Sequence, residues 1–190
     1  MGDARANEVW LVRHGETEWS RDGKHTSHTD VELTEPGIEV ARELAGRLSD
    51  HPFALVLTSP RRRAAHTAEL AGFPGAEPDE DLVEWEYGEY EGITTDEIRM
   101  TVPGWSVWTH PSPGGEDADQ VTARLDRVIA RAHAAEGDVL VFGHGHALRG
   151  LAARWIEQPV EEGRFLKLET ATVSVLAYER EHPVILRWNS

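Results

Sequence analysis

The sequence predicts an α/β fold, a three-layer α/β/α sandwich with a mostly parallel central sheet. Three short apolar runs, residues 8–12, 54–57 and 139–142, are typical of strands buried on both faces. Segments with apolar residues at helical spacing separate these runs, and strands that alternate with helices favour a parallel sheet covered on both sides. Two further apolar runs, residues 173–178 and 184–188, predict a hairpin at the sheet edge.

Capping residues and apolar spacing predict where the first two helices begin. Thr34, followed two residues later by a proline, predicts a helix start, and apolar residues at helical spacing continue to Leu48. Ser59 predicts the cap of the next helix, with the following proline at its first position. This placement puts Arg63 in the first turn of that helix.

In the rest of the chain, apolar residues at helical spacing predict helices, and segments without this spacing are expected to be irregular. A polar loop is expected over residues 20–33, and an irregular region over 73–115 with one short helix near 94–100. A long helix is expected over residues 116–135, and a last helix follows the third strand.

Length and composition predict one domain over residues 1–190 that is not a membrane protein. Hydrophobic residues make up 39% of the chain and charged residues 28%, which is ordinary for a globular protein. No apolar run approaches the roughly 18–20 residues of a membrane helix. The first residues lack the apolar core of a signal peptide, and Ala6 stands where a myristoylation signal has Ser or Thr. Since the chain has no cysteine, disulfides and thiolate metal sites are excluded, which fits a cytoplasmic location.

The net charge of −15 bears on the partners. Such a field repels nucleic acid and anionic membranes, so neither is an expected partner. A small anionic substrate would need a local cluster of positive groups. Self-association into a homo-oligomer is left open by the sequence.

Polar residues follow each of the three buried runs. Arg13, His14 and Gly15 follow the first run, Arg63 follows the second, and His144 follows the third between two glycines. Because ligands of parallel sheets bind beyond the carboxyl ends of the strands, we expect these residues to share one site.

The residue types at these positions suit the cleavage of a phosphomonoester without a metal. The planar fork of an arginine binds two phosphate oxygens, and a neutral histidine can attack phosphorus. An acid is also needed for the leaving oxygen, and the stretch 80–92 is rich in carboxylates. Taken alone, each signal has another explanation, such as a polar strand end or a solvated helix surface. His144 and His146 could also suggest a metal site, but two histidines in a chain without cysteine are thin evidence for one. The occurrence of these signals at successive strand ends favours the phosphate site, and no metal is predicted.

Five motifs in this order resemble the histidine phosphatase superfamily, which has the phosphoglycerate-mutase-like fold. They are RHGETEW at 13–19, LTEPG at 33–37, SPRRRAAHTA at 59–68, LVEWEYGEYEG at 82–92 and VFGHGHALR at 141–149. The resemblance covers nearly the whole chain.

The resemblance implies a catalytic set and no cofactor. His14 would be the nucleophile and form a phosphohistidine. Arg13, Arg63 and His144 would hold the phosphoryl oxygens, and Glu84 would act as general acid and then general base. No metal or organic cofactor is implied, and the partner would be a small-molecule phosphate ester.

Substrate-binding candidates lie beside these motifs. Ser20 and Thr26 are candidates for phosphate contacts, and Gly145 would let the backbone approach the ligand. His25 and Arg149 are candidates for reaching the rest of the substrate, with loop and helix-surface roles as the alternatives.

A narrower resemblance is to the branch that contains fungal sedoheptulose-1,7-bisphosphatase. It implies a small phosphorylated sugar or a related metabolite as the substrate. The chain departs from that branch at His25, where a tyrosine is usual, and at Ser27, where a glycine is usual. Ser20 suits the bisphosphatase-like branch and differs from the asparagine of mutases.

Two alternatives remain beside the hydrolase. A phosphoglycerate-type mutase would transfer the phosphoryl group instead of releasing it, but mutases of this fold are usually longer, with extra segments over the site. A catalytically idle domain that binds phosphoesters would be expected to lack the residues at His14 or Glu84, and both are present.

Overall fold

A computed structural model describes residues 7–190, which form one mixed six-stranded sheet in the order β3-β2-β4-β1-β5-β6. The first residues of the chain, including Ala6 and the segment searched for a leader, lie outside the described residues. The strands are β1 Val9–Arg13, β2 Leu55–Thr58, β3 Glu77–Pro78, β4 Val139–Gly143, β5 Val173–Glu179 and β6 His182–Arg187.

Strand direction confirms the predicted fold class. Strands β1, β2, β3 and β4 pair in parallel, while β5 pairs antiparallel with both β1 and β6. The last two strands are therefore the predicted edge hairpin. The two-residue strand β3, in the region predicted to be irregular, was not predicted, since it is exposed and has no apolar run.

Helices cover both faces of the sheet. They are α1 Glu18–Arg21, α2 Glu35–Glu43, α3 Ala45–Leu48, α4 Arg62–Leu70, α5 Thr95–Arg99, α6 Ala118–Ala134 and α7 Gly145–Trp155. Successive strand residues face opposite layers because side chains alternate along a strand. Val12 and Phe142 pack in the cluster that includes Leu44 of the α2–α3 segment, whereas Leu11 and Val141 pack in the larger cluster with residues of α6 and α7.

The helix limits agree with the predictions except around residues 20 and 44 and at the start of α4. Thr34 caps α2, with its side chain accepting from the Gly37 amide, as predicted. The helix predicted to run on to Leu48 is interrupted at Leu44 and resumes as α3. The predicted loop at 20–33 begins later, because a capping box between Thr17 and Ser20 starts the short helix α1.

The predicted cap at Ser59 is wrong. Helix α4 begins two residues later than expected, its N-cap is Arg61, and that residue makes no side-chain cap hydrogen bond. The Ser59 hydroxyl lies 2.7 Å from Nε2 of His144 and 3.3 Å from the Arg61 amide. A serine followed by a proline at the end of a strand is typical of a helix cap, but here the hydroxyl forms a hydrogen bond with His144, far along the chain.

Within residues 7–190, none of the helices has the length and apolar character that would let it cross a membrane.

Glycine allows α2 to lie directly against the chain that leaves β1. A Cβ on Gly37 would be 2.3 Å from the carbonyl oxygen of Glu16, and a Cβ on Gly15 would be 2.6 Å from the carbonyl oxygen of Gly37. The amide of Thr34 donates to the same Glu16 carbonyl at 2.9 Å. Gly15 therefore makes room for a helix immediately after His14.

We expect Gly37→Ala to destabilise the protein by about 1–3 kcal/mol, because the added methyl group meets backbone atoms that cannot rotate away. Urea unfolding measures the change. Gly46→Ala is the matched control, since a Cβ at Gly46 in α3 meets nothing within 4 Å. The control should be neutral or stabilising by up to about 1 kcal/mol, from helix propensity. Equal changes in the two variants would contradict the packing argument.

Candidate active site

The ends of β1 and β4 place two histidines side by side. The register pairs Arg13 with Gly143, and the His14 amide donates to the Gly143 carbonyl at 3.0 Å. The ring centroids of His14 and His144 lie 5.2 Å apart, and both side chains are buried. The residues that follow the first and third buried runs are therefore neighbours, as predicted.

The ring of His14 is held in one tautomer. Its Nδ1 lies 2.7 Å from the carbonyl oxygen of Gly15, and a carbonyl only accepts, so Nδ1 carries the proton. Burial and the positive charges of Arg63 and Arg13 hold the pKa of His14 well below its usual value of 6.5. The ring is therefore neutral near pH 7, and Nε2 has a free lone pair.

His144 is fixed by the end of β2. Its Nε2 pairs with the hydroxyl of Ser59, while Nδ1 is buried without a partner among residues 7–190. Burial, followed by the charge of Arg63, holds the pKa of His144 well below 6.5. The ring is neutral and closely packed against the first histidine.

Arg13 extends from the end of β1 between two backbone segments. One of its terminal nitrogens donates to the carbonyl of Leu168 at 2.6 Å, and its Nε is buried without a partner in the described chain. A Cβ on Gly145 would lie 3.4 Å from the guanidinium carbon. Gly145 therefore lies beside the guanidinium of Arg13 and also on the cavity wall.

Arg63 lies in the first turn of α4, as predicted, with 1% of its surface exposed. Its guanidinium donates to the carbonyls of Thr29 and Thr26, each at 3.0 Å. Burial lowers its pKa, and the charge of Glu84 opposes that shift. Its positive charge lies close enough to lower the pKa of both His14 and His144.

Glu84 is buried at the N-terminus of α7. Oε1 accepts from the amides of Trp85 at 2.9 Å and Ala147 at 2.8 Å, and Oε2 accepts from the amide of His146 at 3.0 Å. The three amides fix the orientation of the carboxyl group beside the first turn of α7. An acid from the irregular region is thus brought to the end of β4.

These side chains border a cavity of about 190 Å³. All five predicted substrate-binding residues lie on its wall. Of the predicted catalytic residues, Arg63 and His144 do not lie on the wall and are found beside His14. The residues on the wall are Arg13, His14, Ser20, Gly23, Lys24, His25, Thr26, Glu84, Tyr87, Thr95, Gly145, His146, Arg149 and Leu168.

The hydroxyls of Ser20 and Thr26 already have backbone partners. Ser20 Oγ donates to the carbonyl of Thr17 at 3.0 Å and accepts from the amide of Thr17 at 2.9 Å. Thr26 Oγ1 donates to the carbonyl of Lys24 at 3.1 Å. Both residues lie on the cavity wall, and both also shape the loop they belong to.

His25 and Arg149 lie on the wall among aromatic rings. His25 Nδ1 is 2.8 Å from the carbonyl of Ile93, and burial lowers the pKa of its ring. The guanidinium of Arg149 lies over the ring of Trp108, 4.7 Å from its centroid, and Nε donates to the carbonyl of Gly163 at 3.0 Å. His25 and Arg149 therefore line the cavity and also make structural contacts with neighbouring backbone and rings.

Several wall residues are absent from the predicted substrate-binding set. Tyr87 and His146 are the most notable, since the tyrosine hydroxyl lies 2.6 Å from Nδ1 of the histidine. Burial and the nearby charge of Glu84 raise the pKa of Tyr87 well above 10.0. Burial lowers the pKa of His146 well below 6.5. Both residues stand within the motifs that supplied Glu84 and His144, which is the signal that could have found them.

The two histidines considered as metal ligands each have a side-chain partner, Ser59 for His144 and Tyr87 for His146. In the part of the chain that the structure describes, the residues whose ligand atoms lie within 4.8 Å of one another are Glu8, His51 and Asp138. Two of them precede β1 and β4, so this group lies at the amino ends of the strands, away from the cavity. That the chain uses no metal stays a prediction.

Comparison with protein families finds one that spans the described chain. The model of the histidine phosphatase superfamily, branch 1, matches residues 9–190. The chain is 44% identical over 181 residues to an acid phosphatase of Mycobacterium tuberculosis, covering 92% of this chain and 88% of that one. It is 36% identical over 185 residues to a sedoheptulose 1,7-bisphosphatase of Saccharomyces cerevisiae, covering 80% and 68%.

Comparison with solved structures agrees. The product of an open reading frame of Mycobacterium tuberculosis superposes with a TM-score of 0.92 and 39% identity, over 97% of this chain and 98% of that chain. The superfamily resemblance and the enzyme class expected from it, a phosphatase of the histidine phosphatase type, are confirmed at the level of the family. The chain belongs to the histidine phosphatase superfamily, branch 1.

Proposed function

We propose that the chain is a metal-independent phosphomonoester hydrolase that works through a phosphohistidine at His14. The observation that carries this proposal is the hydrogen bond from Nδ1 of His14 to the Gly15 carbonyl. Together with the lowered pKa of the ring, it leaves Nε2 unprotonated and available to attack phosphorus.

In the first step, Nε2 of His14 attacks phosphorus, a P–N bond forms and the ester P–O bond breaks. Arg13, Arg63 and His144 are assigned to the phosphoryl oxygens, where their donors stabilise the charge of the transition state. Glu84 gives a proton to the leaving oxygen, which departs as an alcohol.

In the second step, Glu84 takes a proton from a water molecule. The resulting hydroxide attacks phosphorus, the P–N bond breaks and its electron pair returns to Nε2. Inorganic phosphate leaves, and Glu84 is protonated again for the next cycle.

The size and polarity of the cavity favour a substrate whose leaving group is small and hydrophilic. A volume of about 190 Å³ is below the roughly 300–1,000 Å³ of sites for drug-sized ligands. Lys24, His25, Thr95 and Arg149 offer donors or positive charge around it. We therefore propose a small phosphorylated sugar or related metabolite as substrate, which the similarity to a sedoheptulose 1,7-bisphosphatase supports. Ser20, Thr26 and Gly145 stay assigned to the phosphate side.

The remaining expectations stay predictions. They are one domain over residues 1–190, a cytoplasmic location, the absence of a metal or organic cofactor, no nucleic-acid or membrane partner, and the open question of a homo-oligomer.

The proposed reaction is tested by phosphate release from the metal-free protein with a panel of esters. The panel contains sedoheptulose and fructose bisphosphates, sugar monophosphates, phosphoglycerates and an aryl phosphate. We expect release of phosphate, fastest with one sugar phosphate. In His14→Ala, turnover and acid-labile phosphoenzyme should both disappear, because the proposed P–N bond forms at Nε2 of His14.

The matched control for that variant is His182→Ala, whose histidine is exposed. It should keep full activity. Faster interconversion of phosphoglycerates than phosphate release would favour the mutase alternative, and phosphate binding without any turnover would favour the idle domain. Hydrolysis that persists in His14→Ala would remove this residue as the nucleophile.

Glu84→Gln should slow esters with poor leaving groups by about 10²–10⁴-fold, because such oxygens need a proton when the bond breaks. An aryl phosphate should lose much less in the phosphorylation step, which is measured as the burst of phenol release. Equal losses in that step for sugar and aryl phosphates would contradict the acid role of Glu84.

The ring of His14 should stay neutral at pH 6.5 and below. Burial and the two arginines lower its pKa, so the unprotonated form persists as the pH falls through the usual range of a histidine. Nitrogen NMR of the labelled ring, without substrate, follows the protonation directly. A ring already half protonated at pH 6.5 would contradict the expectation.

A further inference from the structure

Residues 26–29, here called the clamp segment, begin at Thr26 on the cavity wall and lie against Arg63. The guanidinium of Arg63 donates to the carbonyls of Thr26 and Thr29, each at 3.0 Å, and more weakly to that of Ser27 at 3.4 Å. The arginine assigned to the phosphate therefore depends on three carbonyls of one short segment for its position.

The carboxylate of Glu91 binds the opposite, amide side of the same segment. The Ser27 amide donates to Oε2 at 2.8 Å, and the Thr29 amide donates to Oε1 at 3.1 Å. The Ser27 hydroxyl adds a third donor, 2.6 Å from Oε2. The clamp segment thus offers its carbonyls to a cation and its amides to an anion.

Backbone pairing holds the chain just before the clamp segment but stops there. The His25 amide donates to the Ile93 carbonyl at 3.0 Å, the Gly92 amide donates to the His25 carbonyl at 2.8 Å, and Lys24 forms a bridge with Thr94. Beyond His25, the amides of Ser27 and Thr29 donate to the side chain of Glu91 instead of to a backbone carbonyl.

The charges on the two sides reinforce this arrangement. Burial would raise the pKa of Glu91, but the hydrogen bonds from Ser27 and Thr29 outweigh burial and hold the pKa below its usual range. The negative charge of Glu91 in turn favours the charged form of Arg63. Peptide groups between an anion and a cation are polarised in one direction, which strengthens the bonds at both ends.

We propose that Glu91 is a positioning residue that, with Ser27, holds the clamp segment so that Arg63 and Thr26 face the phosphate. The proposal rests on the proposed function, since it assigns phosphate to that side of the cavity. Ser27 is one of the two positions, with His25, at which the chain departs from the bisphosphatase-like branch, where a glycine is usual in place of Ser27. The Ser27 hydroxyl makes a hydrogen bond to Glu91 that a glycine at this position could not make.

The test measures the dissociation constant of inorganic phosphate by calorimetry, beside kcat, KM and urea unfolding. We expect Glu91→Gln to weaken phosphate binding about tenfold, because the amide nitrogen of glutamine places a donor against donors of the clamp segment. Ser27→Gly removes one hydrogen bond and should weaken phosphate binding about threefold. Glu89→Gln is the matched control, since this exposed residue loses the same charge two positions away. It should leave phosphate binding unchanged.

A second arm asks whether Glu91 acts through Arg63. In an Arg63→Lys background, which lacks the fork that binds the carbonyls, Glu91→Gln should weaken phosphate binding less than twofold further. The same tenfold loss in both backgrounds would overturn the proposal.

A purely structural role for Glu91 also predicts a distinct outcome. Loss of unfolding free energy in Glu91→Gln, with the phosphate affinity of the folded protein unchanged, would overturn the proposal. Where Glu91→Gln does not fold, Ser27→Gly decides: an unchanged phosphate affinity overturns the proposal, and a threefold loss supports it. These readouts use binding alone, so a failure of the phosphohistidine mechanism, seen as turnover in His14→Ala, remains distinguishable.

Discussion

The parallel pairing of β1 with β4, in the register that matches Arg13 to Gly143, is the constraint on which the site depends. It brings His14 and His144 together at the carboxyl ends of the parallel strands, with their ring centroids 5.2 Å apart. Strand β2 pairs with β4 from the other side, and its end brings Ser59 to His144. A slip of one residue in either pairing would turn these side chains to the opposite face of the sheet.

The charges around His14 explain how a chain of net charge −15 can accept an anion. Arg13 and Arg63 are both buried, and burial lowers the pKa of each, while Glu84 opposes that shift. With His14 neutral, the charges of Arg13 and Arg63 exceed that of Glu84 whether or not Glu84 carries its proton, so the net charge at the bottom of the cavity is positive. Because buried charges are screened much less than surface charges, this local excess acts on a bound phosphate more strongly than the distant acidic surface.

The parts of the site that the sequence predicts are those attached to regular elements. Arg13, Arg63 and His144 follow buried runs, and a parallel sheet brings the ends of such runs together whatever the loops do. Glu84 was selected by the resemblance of its motif, because its spacing alone does not distinguish it from many other carboxylates. Its position depends on three amides, two of them at the start of α7 and far along the chain.

Side-chain contacts between residues far apart in the sequence could not be predicted in this way. The hydroxyl of Ser59 looked like a helix cap, and its bond to His144 exists only once β2 and β4 are paired. The meeting of Tyr87 with His146, and of Glu91 with Ser27, joins residues about 60 positions apart with no periodicity to reveal them.

Strand pairing and loop contacts hold different parts of the site, namely the groups proposed for the chemistry and the groups proposed to bind the rest of the substrate. His14, Arg13 and His144 are fixed by strand pairing, whereas Lys24 and His25 are held by the backbone pairing with residues 92–94. Substitutions in that loop can change the shape and charge of the wall without moving the strand ends. Arg63 links the two regions, because its helix begins after β2 while its guanidinium binds the clamp segment. A loop that alters the substrate range must therefore still present the carbonyls of residues 26–29 to Arg63.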